Sequence, residues 1–216
     1  KDISADPRFR LAFISGRTLK DLKKRIGLEN VIYSGNSGLE LEGPKIRFRP
    51  LISAQYRKTL QHLREQLKGK LASIRGVLIE DKGLSLSVHY RMVAKEKIPL
   101  VKTLFHEAVI LHLVKDQIKI RPGKKVLEVR PPTEWNKGRI VLWLLARQMF
   151  VLSGRRLAAV YIGDDVTDED AFKALRSRGV TVFVGRPRRS CAQYYVKDTK
   201  EVMKFLRWMR QSWKSS

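Results

Sequence analysis

A short acidic segment, YIGDDVTDEDAF, runs from Tyr161 to Phe172 in a chain that carries 45 basic and only 21 acidic side chains. Within seven residues it places five carboxylates: Asp164, Asp165, Asp168, Glu169 and Asp170. Carboxylates packed together repel one another and favour protonation, unless a cation lies among them or water spreads their charge. The segment therefore indicates either a bound cation or a solvated start of a helix.

The apolar run LAAVYIG directly before Asp164 predicts a buried strand. Open parallel sheets bind ligands beyond the carboxyl ends of their strands, where Asp164 would lie. An oxygen ligand there suits Mg²⁺, which commonly takes one or two protein carboxylates and keeps several waters. We therefore expect Asp164 to bind Mg²⁺. The alternative for Asp165 and Asp168 is helix capping, and we expect Glu169 and Asp170 to do no more than cap the helix and complement its dipole.

Two other segments carry groups that suit a phosphate. FISGRT ends a predicted buried strand just before a helix, where the Ser15 hydroxyl and backbone N–H groups could meet a phosphate oxygen, although serine there is commonly only a cap. WNKG places Lys137 at the start of a helix, where a cation opposes the dipole. Lys137 is therefore expected to have an anionic partner elsewhere, the alternative being an extended surface lysine. In chain order, Ser15, Lys137 and Asp164 are the groups of a phosphoryl-transfer site.

The elements around these residues alternate between short apolar runs and helical patterns, which predicts an α/β architecture with a mainly parallel sheet. RLAFIS and NVIYSG have the composition of strands. TLKDLKKRIGL between them predicts an amphipathic helix that Thr18 caps and Gly27 ends.

A different pattern begins near residue 46, where a long helical segment precedes GVLIEDKGLSLSVHYR. Polar residues alternate there with Leu84, Leu86 and Val88, which is typical of a sheet with one open face. Another helix and a hairpin with a predicted turn at Pro122 and Gly123 follow. We therefore predict an inserted α/β domain, with these boundaries: core residues 1–45, inserted domain 46–130 and core residues 131–216.

The composition, with 43% apolar residues, is that of an ordinary globular chain. Its longest apolar stretch, IVLWLLA, is far shorter than the roughly 20 residues that span a bilayer, so we expect no membrane segment. Cys191 is the single cysteine, which fits a reducing compartment, and a cytoplasmic location is expected. The net charge of +24 fits nucleic-acid binding, a lysine-rich solvated surface or attraction of an anionic substrate. Because the basic residues are dispersed along the chain, nucleic acid is not the expected partner.

The order of Ser15, Lys137 and Asp164, together with GNSGLELEGP, IEDKGLSLSVHYR, LEVRPPTEWNKG and YIGDDVTDEDAF, resembles the trehalose-6-phosphate phosphatase family of the haloacid dehalogenase superfamily. The resemblance extends from Arg10 to Gly185. It implies a Rossmann-like core with a parallel sheet, a mobile inserted α/β cap domain and Mg²⁺. It also implies hydrolysis of trehalose 6-phosphate to trehalose and phosphate through an aspartyl-phosphate, and a fused or associated trehalose-6-phosphate synthase as a partner.

The same resemblance assigns roles to individual residues. Ser15 would bind the phosphoryl group, and Lys137 would neutralise the nucleophile and the phosphate. Asp164 would bind Mg²⁺, with Asp168 as a supporting acid. The substrate contacts it implies are Arg17, Asn36, Glu80, Lys82, Glu128 and Arg130, with His89 and Arg91 as further candidates. The alternative for His89 and Arg91 is a polar face of the cap sheet.

The chain departs from the family pattern in two places. Ser37 stands where the family usually has histidine, and no segment matches the DxDGT motif that supplies the attacking aspartate. We therefore expect residues 1–216 alone to be inactive. Two alternatives stay open: a phosphatase for another sugar phosphate, such as a mannosyl or glucosyl phosphoglycerate, and a non-catalytic domain that binds trehalose 6-phosphate and is fused to a glycosyltransferase.

Overall fold

A computed structural model describes residues 2–49, 51–152, 157–186 and 189–212. The chain divides into two compact units: unit 1 consists of Lys1–Phe48 and Trp135–Ser216, and unit 2 of Arg49–Glu134. The sequence placed the two boundaries after residues 45 and 130. The first boundary differs because the strand Ile46–Phe48 pairs with the preceding strand of unit 1.

The elements follow one another in chain order. They are β1 (Ala12–Ile14), α1 (Leu19–Ile26), β2 (Ile32–Gly35), β3 (Glu40–Gly43), β4 (Ile46–Phe48), α2 (Ala54–Leu71), β5 (Leu78–Asp81), β6 (Leu86–His89), α3 (Ile98–Val114), β7 (Lys119–Gly123), β8 (Val126–Arg130), α4 (Lys137–Val151), β9 (Ala159–Gly163), α5 (Glu169–Leu175), β10 (Gly179–Val184), β11 (Tyr194–Val196) and α6 (Thr199–Ser212). Short 3₁₀ turns cover Asn36–Gly38, Lys95–Lys97 and Val166–Asp168. The alternation confirms the predicted α/β fold class.

Unit 1 contains two sheets. In the first, β1 pairs in parallel with β2, and β2, β3 and β4 continue as an antiparallel meander. In the second, β9, β10 and β11 are parallel, in the order β11-β10-β9. Within the described residues, β1 and β9 therefore each have one edge that pairs with no other strand.

The sequence predicted that β1 and β9 are buried strands, but both are only partly buried. Ala12 is exposed and the rest of β1 is half-buried, while β9 is half-buried along its whole length. By contrast, β2 is buried throughout. The reason is position: β1 and β9 are edge strands, and the apolar side chains on an edge keep part of their surface in water.

Helix α1 begins and ends where the sequence predicted. The Thr18 side chain accepts a hydrogen bond from the Asp21 N–H at 3.2 Å, and Gly27 takes a left-handed conformation with φ of 60°. Its N–H donates to the Lys23 carbonyl, which closes the last turn. Both caps are local, so neighbouring residues suffice to predict them.

Unit 2 is an antiparallel sheet in the order β5-β6-β8-β7 with helices α2 and α3. Its core contains Leu63 and Leu67 of α2, Leu86 and Val88 of β6, and Phe105 of α3. Leu86 and Val88 of β6 both face this core, as the predicted alternation requires. No helix of the described residues is long and apolar enough to cross a membrane.

Two predictions for unit 2 need correction. The hairpin turn lies at Lys124 and Lys125, because Gly123 still pairs with Val126; Pro122 is accommodated in β7, which is an edge strand. The polar face of β6 is also not open, because Ser85 and Ser87 are fully buried. The other side chains on this face are described below.

Candidate active site

Ser15 lies directly after β1 and is fixed by the neighbouring strand. Its N–H donates to the Ser34 carbonyl at 2.9 Å, and its own carbonyl accepts from the Ser37 N–H at 2.8 Å. The Ser15 hydroxyl accepts from the Arg17 N–H at 3.3 Å. The hydroxyl therefore stands at the carboxyl end of a strand, before helix α1, as the sequence predicted.

Arg17 belongs to the same loop, but its side chain points along α1. The guanidinium donates to Asp21 at 2.8 Å, and Arg25 donates to the same carboxylate at 3.0 Å. These two hydrogen bonds lower the pKa of Asp21. A phosphate contact from Arg17 stays a prediction, and the half-exposed side chain is tethered by Asp21.

The turn after β2 is buried and has an unusual backbone. Asn36, Ser37 and Gly38 have φ of 49°, 53° and 100°, values that glycine adopts readily, asparagine less often and serine rarely. Hydrogen bonds hold them: the Asn36 N–H donates to the Arg17 carbonyl at 2.7 Å, and Ser37 is tied to the Ser15 carbonyl. The Asn36 side chain donates to Glu40 at 2.8 Å. A direct substrate contact from Asn36 stays a prediction, and its visible contacts fix the turn.

The same turn packs against the start of α4. A Cβ on Gly38 would lie 2.9 Å from the Asn136 carbonyl oxygen, so only glycine fits this approach. Asn136 caps α4 by accepting from the Arg139 N–H at 2.8 Å. The Ser15 loop, the Asn36–Gly38 turn and the first turn of α4 are therefore contiguous within unit 1.

Lys137 is the first residue of α4, and it has the anionic partner that the dipole argument required. Its ammonium donates to the Asp168 Oδ1 at 2.7 Å. Lys137 is 7% exposed and Asp168 is 4% exposed, which rules out the alternative of an extended surface lysine.

Asp168 is the most connected acid of the segment. Its Oδ1 accepts from Lys137 and also from the Tyr161 hydroxyl at 2.7 Å. Its Oδ2 accepts from the N–H groups of Asp164 at 3.0 Å and Asp165 at 2.9 Å. Four donors thus fill the roughly four acceptor positions of one carboxylate. Asp168 is therefore well placed to fix Lys137 and the loop after β9, and it has little capacity left for a metal ion.

Tyr161 was not among the predicted site residues. Its hydroxyl stays protonated and donates, because burial, followed by the nearby Asp168 charge, raises the pKa of Tyr161. A signal was available: a tyrosine within an apolar strand needs a partner for its hydroxyl. The sequence does not say which residue that partner is.

The remaining acids have separate roles. Asp165 accepts from the Val166 N–H at 2.7 Å and caps the short turn, which agrees with the capping alternative. Glu169 does more than cap: it accepts from the Ser190 hydroxyl at 2.7 Å and the Cys191 N–H at 2.8 Å. Its contact with the segment after β10 is long-range and could not be predicted from neighbouring residues.

Asp164 is the acid that the segment presents to solvent. It is exposed, and no hydrogen bond or ion pair involves its carboxylate within the described ranges, although Asp168 fixes its N–H. In the same ranges, no three or more His, Cys, Asp or Glu side chains form a group that could hold a metal ion. A site with one exposed carboxylate suits a cation whose other ligands are water and substrate oxygens, which is typical of Mg²⁺.

Unit 2 brings four predicted substrate-binding residues into one polar network. Glu128 accepts from the Lys82 ammonium at 3.1 Å and from the Ser85 hydroxyl at 3.0 Å. The Arg130 Nε lies 3.9 Å from the other Glu128 oxygen. Glu80 lies 3.9 Å from Lys82.

This network lies on the buried polar face of the sheet, where Ser85 and Ser87 contact Glu128. The side chains of Lys82, Glu128 and Arg130 are only 9%, 12% and 4% exposed. Outside them, Glu80 is 2.9 Å from His89, and both side chains are partly exposed. Such alternating donors and acceptors can bind hydroxyl groups as well as one another.

Comparisons with known proteins show the family to which the chain belongs. The profile of the trehalose-phosphatase family matches residues 1–201. The chain is 34% identical over 218 residues to probable trehalose-phosphate phosphatase 4 of Oryza sativa subsp. japonica, covering 96% of this chain and 58% of that protein. Over 178 residues it is 33% identical to the trehalose-phosphate phosphatase of Mycobacterium marinum, covering 81% of this chain and 44% of that protein. The chain therefore spans about half the length of the curated relatives it matches.

A solved structure shows the same fold. The C-terminal domain of the Candida albicans trehalose-6-phosphate phosphatase matches with a TM-score of 0.76 at 24% identity, covering 94% of this chain and 78% of that one. The resemblance seen in the sequence motifs is thus confirmed by the family profile, the relatives and the fold. The chain belongs to the trehalose-phosphatase family.

Proposed function

We propose that this chain contributes the phosphate-binding, cation-binding and sugar-binding groups of a Mg²⁺-dependent phosphatase that converts trehalose 6-phosphate to trehalose and phosphate. The observation that carries the proposal is the Asp168 network. It buries the Lys137 ammonium beside the loop after β9 and leaves Asp164 as the exposed acid.

In unit 1, the Ser15 hydroxyl and nearby N–H groups would donate to phosphoryl oxygens. The Lys137 ammonium would offset the negative charge that these oxygens gather during transfer. Asp164, fixed through its backbone by Asp168, would hold Mg²⁺ together with water and phosphate oxygens. When bound, Mg²⁺ supplies further neutralisation of the phosphoryl charge.

The attacking carboxylate is the group that these residues do not supply. We propose that a strand outside residues 1–216 carries it and pairs with the open edges of β1 and β9. Ile14 of β1 and both Ala159 and Tyr161 of β9 pack on one cluster with Val141 of α4. The two half-buried strands therefore pack against the same cluster, which α4 and α5 provide.

The carboxyl ends of β1 and β9 support this placement. The turn that contains Gly38 lies beside the carboxyl end of β1 and packs against the start of α4. The loop at the carboxyl end of β9 contacts the same helix start through the ion pair of Asp168 with Lys137. A strand parallel to both would end between Ser15 and Asp164. An aspartate there could attack phosphorus and break its bond to the sugar oxygen, which takes up a proton and leaves as trehalose. Water would then hydrolyse the aspartyl-phosphate to phosphate and the free aspartate, which divides one difficult step into two.

For unit 2, we propose the role of a cap domain that recognises the sugar. Its support is the network of Lys82, Glu128 and Arg130, which offers charged donors and acceptors to hydroxyl groups. A cytoplasmic location is proposed on the single Cys191. A fused or associated trehalose-6-phosphate synthase stays the expected partner.

Phosphate release by the full-length protein tests the substrate. Trehalose 6-phosphate, a mannosyl phosphoglycerate and a glucosyl phosphoglycerate should be compared at equal concentration, with and without Mg²⁺. We expect the highest kcat/KM for trehalose 6-phosphate and little turnover without Mg²⁺. A preference for a phosphoglycerate would replace the substrate assignment while keeping the reaction class.

A second candidate is a non-catalytic domain that binds trehalose 6-phosphate. It is favoured by the lack of a DxDGT segment within the 216 residues. This candidate predicts that the full-length protein binds trehalose 6-phosphate in calorimetry but releases no phosphate at saturating Mg²⁺. Binding with turnover would exclude it.

A further inference from the structure

The Tyr161 hydroxyl is a neutral side-chain donor to the Asp168 carboxylate. Its hydroxyl and the Lys137 ammonium both donate to Oδ1 at 2.7 Å. The two N–H groups of the loop donate to the other oxygen, Oδ2. Tyr161 therefore helps to fix how the carboxylate is rotated about its own axis, which decides whether Oδ2 faces the loop.

The position of the hydroxyl is set by the packing of its ring. The Tyr161 ring meets the ring of the buried Phe172 edge to face, with centroids 5.7 Å apart and an interplanar angle of 82°. Tyr161 also packs on the cluster of Val141, Ala171 and Leu175. A ring held on strand β9 and against α5 can deliver its hydroxyl to one place without much loss of side-chain freedom.

The loop that Asp168 holds contains the exposed acid of the site. A Cβ on Gly163 would lie 2.4 Å from the Asp168 Cγ, so the carboxylate is pressed against the backbone of the loop. Movement of this carboxylate would be felt directly by the N–H groups of Asp164 and Asp165. Partners that lie behind a metal-binding or catalytic residue commonly change affinity or rate by about 10–100-fold when they are removed.

We propose that Tyr161 is a positioning residue, whose hydroxyl orients the Asp168 carboxylate and thereby fixes both Lys137 and the backbone of Asp164. The inference rests on the proposed phosphatase function for its kinetic consequence, but its structural consequence is independent of that function. Tyr161 touches no reacting atom and acts through Asp168.

The test is Tyr161→Phe in the full-length protein, which removes the hydroxyl and keeps the ring. We expect kcat on trehalose 6-phosphate to fall about 10–100-fold, with KM changed less than about twofold. The Mg²⁺ concentration for half-maximal activity should rise by about tenfold. Without substrate or metal, amide hydrogen exchange at Asp164 and Asp165 should quicken by about tenfold, because their acceptor is no longer held.

Tyr33→Phe is the matched control. Tyr33 is buried, and its hydroxyl accepts from the Leu28 N–H at 2.9 Å and donates to the Leu28 carbonyl at 2.6 Å, away from the site. This variant should lose thermal stability but keep kcat, the Mg²⁺ requirement and the exchange rates of Asp164 and Asp165.

The outcomes separate the inference from the proposed function. Wild-type exchange rates and kcat in Tyr161→Phe would overturn the inference, as would a loss of activity that only follows a loss of folded protein. If the wild-type protein released no phosphate, the proposed function would fail. Faster exchange at Asp164 and Asp165 in Tyr161→Phe would in that case still support the positioning role.

Discussion

The buried ion pair of Lys137 with Asp168 predicts an unequal response to the loss of each partner. Lys137 is only 7% exposed and lies at a helix start, and Asp168→Asn leaves its ammonium with no anion among its described contacts. The asparagine also replaces one carboxylate oxygen with an NH₂ group, which cannot accept a hydrogen bond. Two of the four donors that bind Asp168 would therefore face another donor. Removing one member of a buried ion pair costs about 3–5 kcal/mol in the free energy of unfolding when the charge left behind is not compensated by other groups.

Lys137→Met should cost less. Asp168 would keep three donors, from the Tyr161 hydroxyl and the N–H groups of Asp164 and Asp165. The loss is then one hydrogen bond to a charged group, worth about 1.5–3 kcal/mol. We therefore expect Asp168→Asn to be the more destabilising variant by about 2 kcal/mol.

Urea unfolding followed by tryptophan fluorescence measures this difference. All four tryptophans belong to unit 1, so the signal reports on the unit that contains the ion pair. Lys23 is exposed in the same unit and pairs with Glu42 at 2.5 Å; it provides the control variant Lys23→Gln, which should leave the transition nearly unchanged. Equal losses for the two site variants, or a larger loss for Lys137→Met, would refute the claim that Asp168 is the hub of the network.

Three further predictions concern the metal, the sugar and acid stability. In the full-length protein, Asp164→Asn should lower turnover by at least about 100-fold at limiting Mg²⁺, because it removes a charged ligand. Glu169→Gln should keep the wild-type Mg²⁺ requirement, and the same Mg²⁺ requirement in both variants would contradict the metal assignment. Lys82→Ala should lose kcat/KM on trehalose 6-phosphate but nearly retain it on a small aryl phosphate, and equal losses would remove the sugar-binding role. A hydrogen bond from Arg8 lowers the pKa of Asp6 to about 2, below its usual 3.8, so its stabilising contribution is present above pH 3.8 and is lost as the pH falls through 2. In Asp6→Asn, the melting temperature should therefore fall less steeply between pH 3.8 and pH 2 than it does in the wild type. The same pH dependence in both proteins would count against a stabilising pair of Asp6 with Arg8.

Local signals were sufficient for some features of the fold. Helix α1 begins after Thr18 and ends before Gly27, as predicted, because a cap depends on residues within one turn. The turn at Lys124 and Lys125 could not be placed in the same way, since the register between β7 and β8 depends on the pairing of whole strands. Pro122 suggested a turn but fits an edge strand equally well.

Long-range partners decided the features that the sequence did not predict. The helix dipole indicated that Lys137 needs an anion, but the partner, Asp168, lies 31 residues away. The alternation along β6 suggested an open face, whereas Ser87 faces Glu128 on the neighbouring strand and is buried. The separation of β1 and β9 into two sheets also depends on which strands pair, and the composition of each strand does not contain that information.

The most direct test of the central claim is phosphate release from trehalose 6-phosphate, with and without Mg²⁺, by residues 1–216 alone and by the full-length protein. We expect no turnover from residues 1–216, because Ser15, Lys137 and Asp164, which we propose bind the phosphate and the cation, supply no carboxylate placed to attack. We expect Mg²⁺-dependent turnover when a strand that ends in an aspartate is present to pair with β1 and β9. Turnover by residues 1–216 alone would contradict this account of the attacking group.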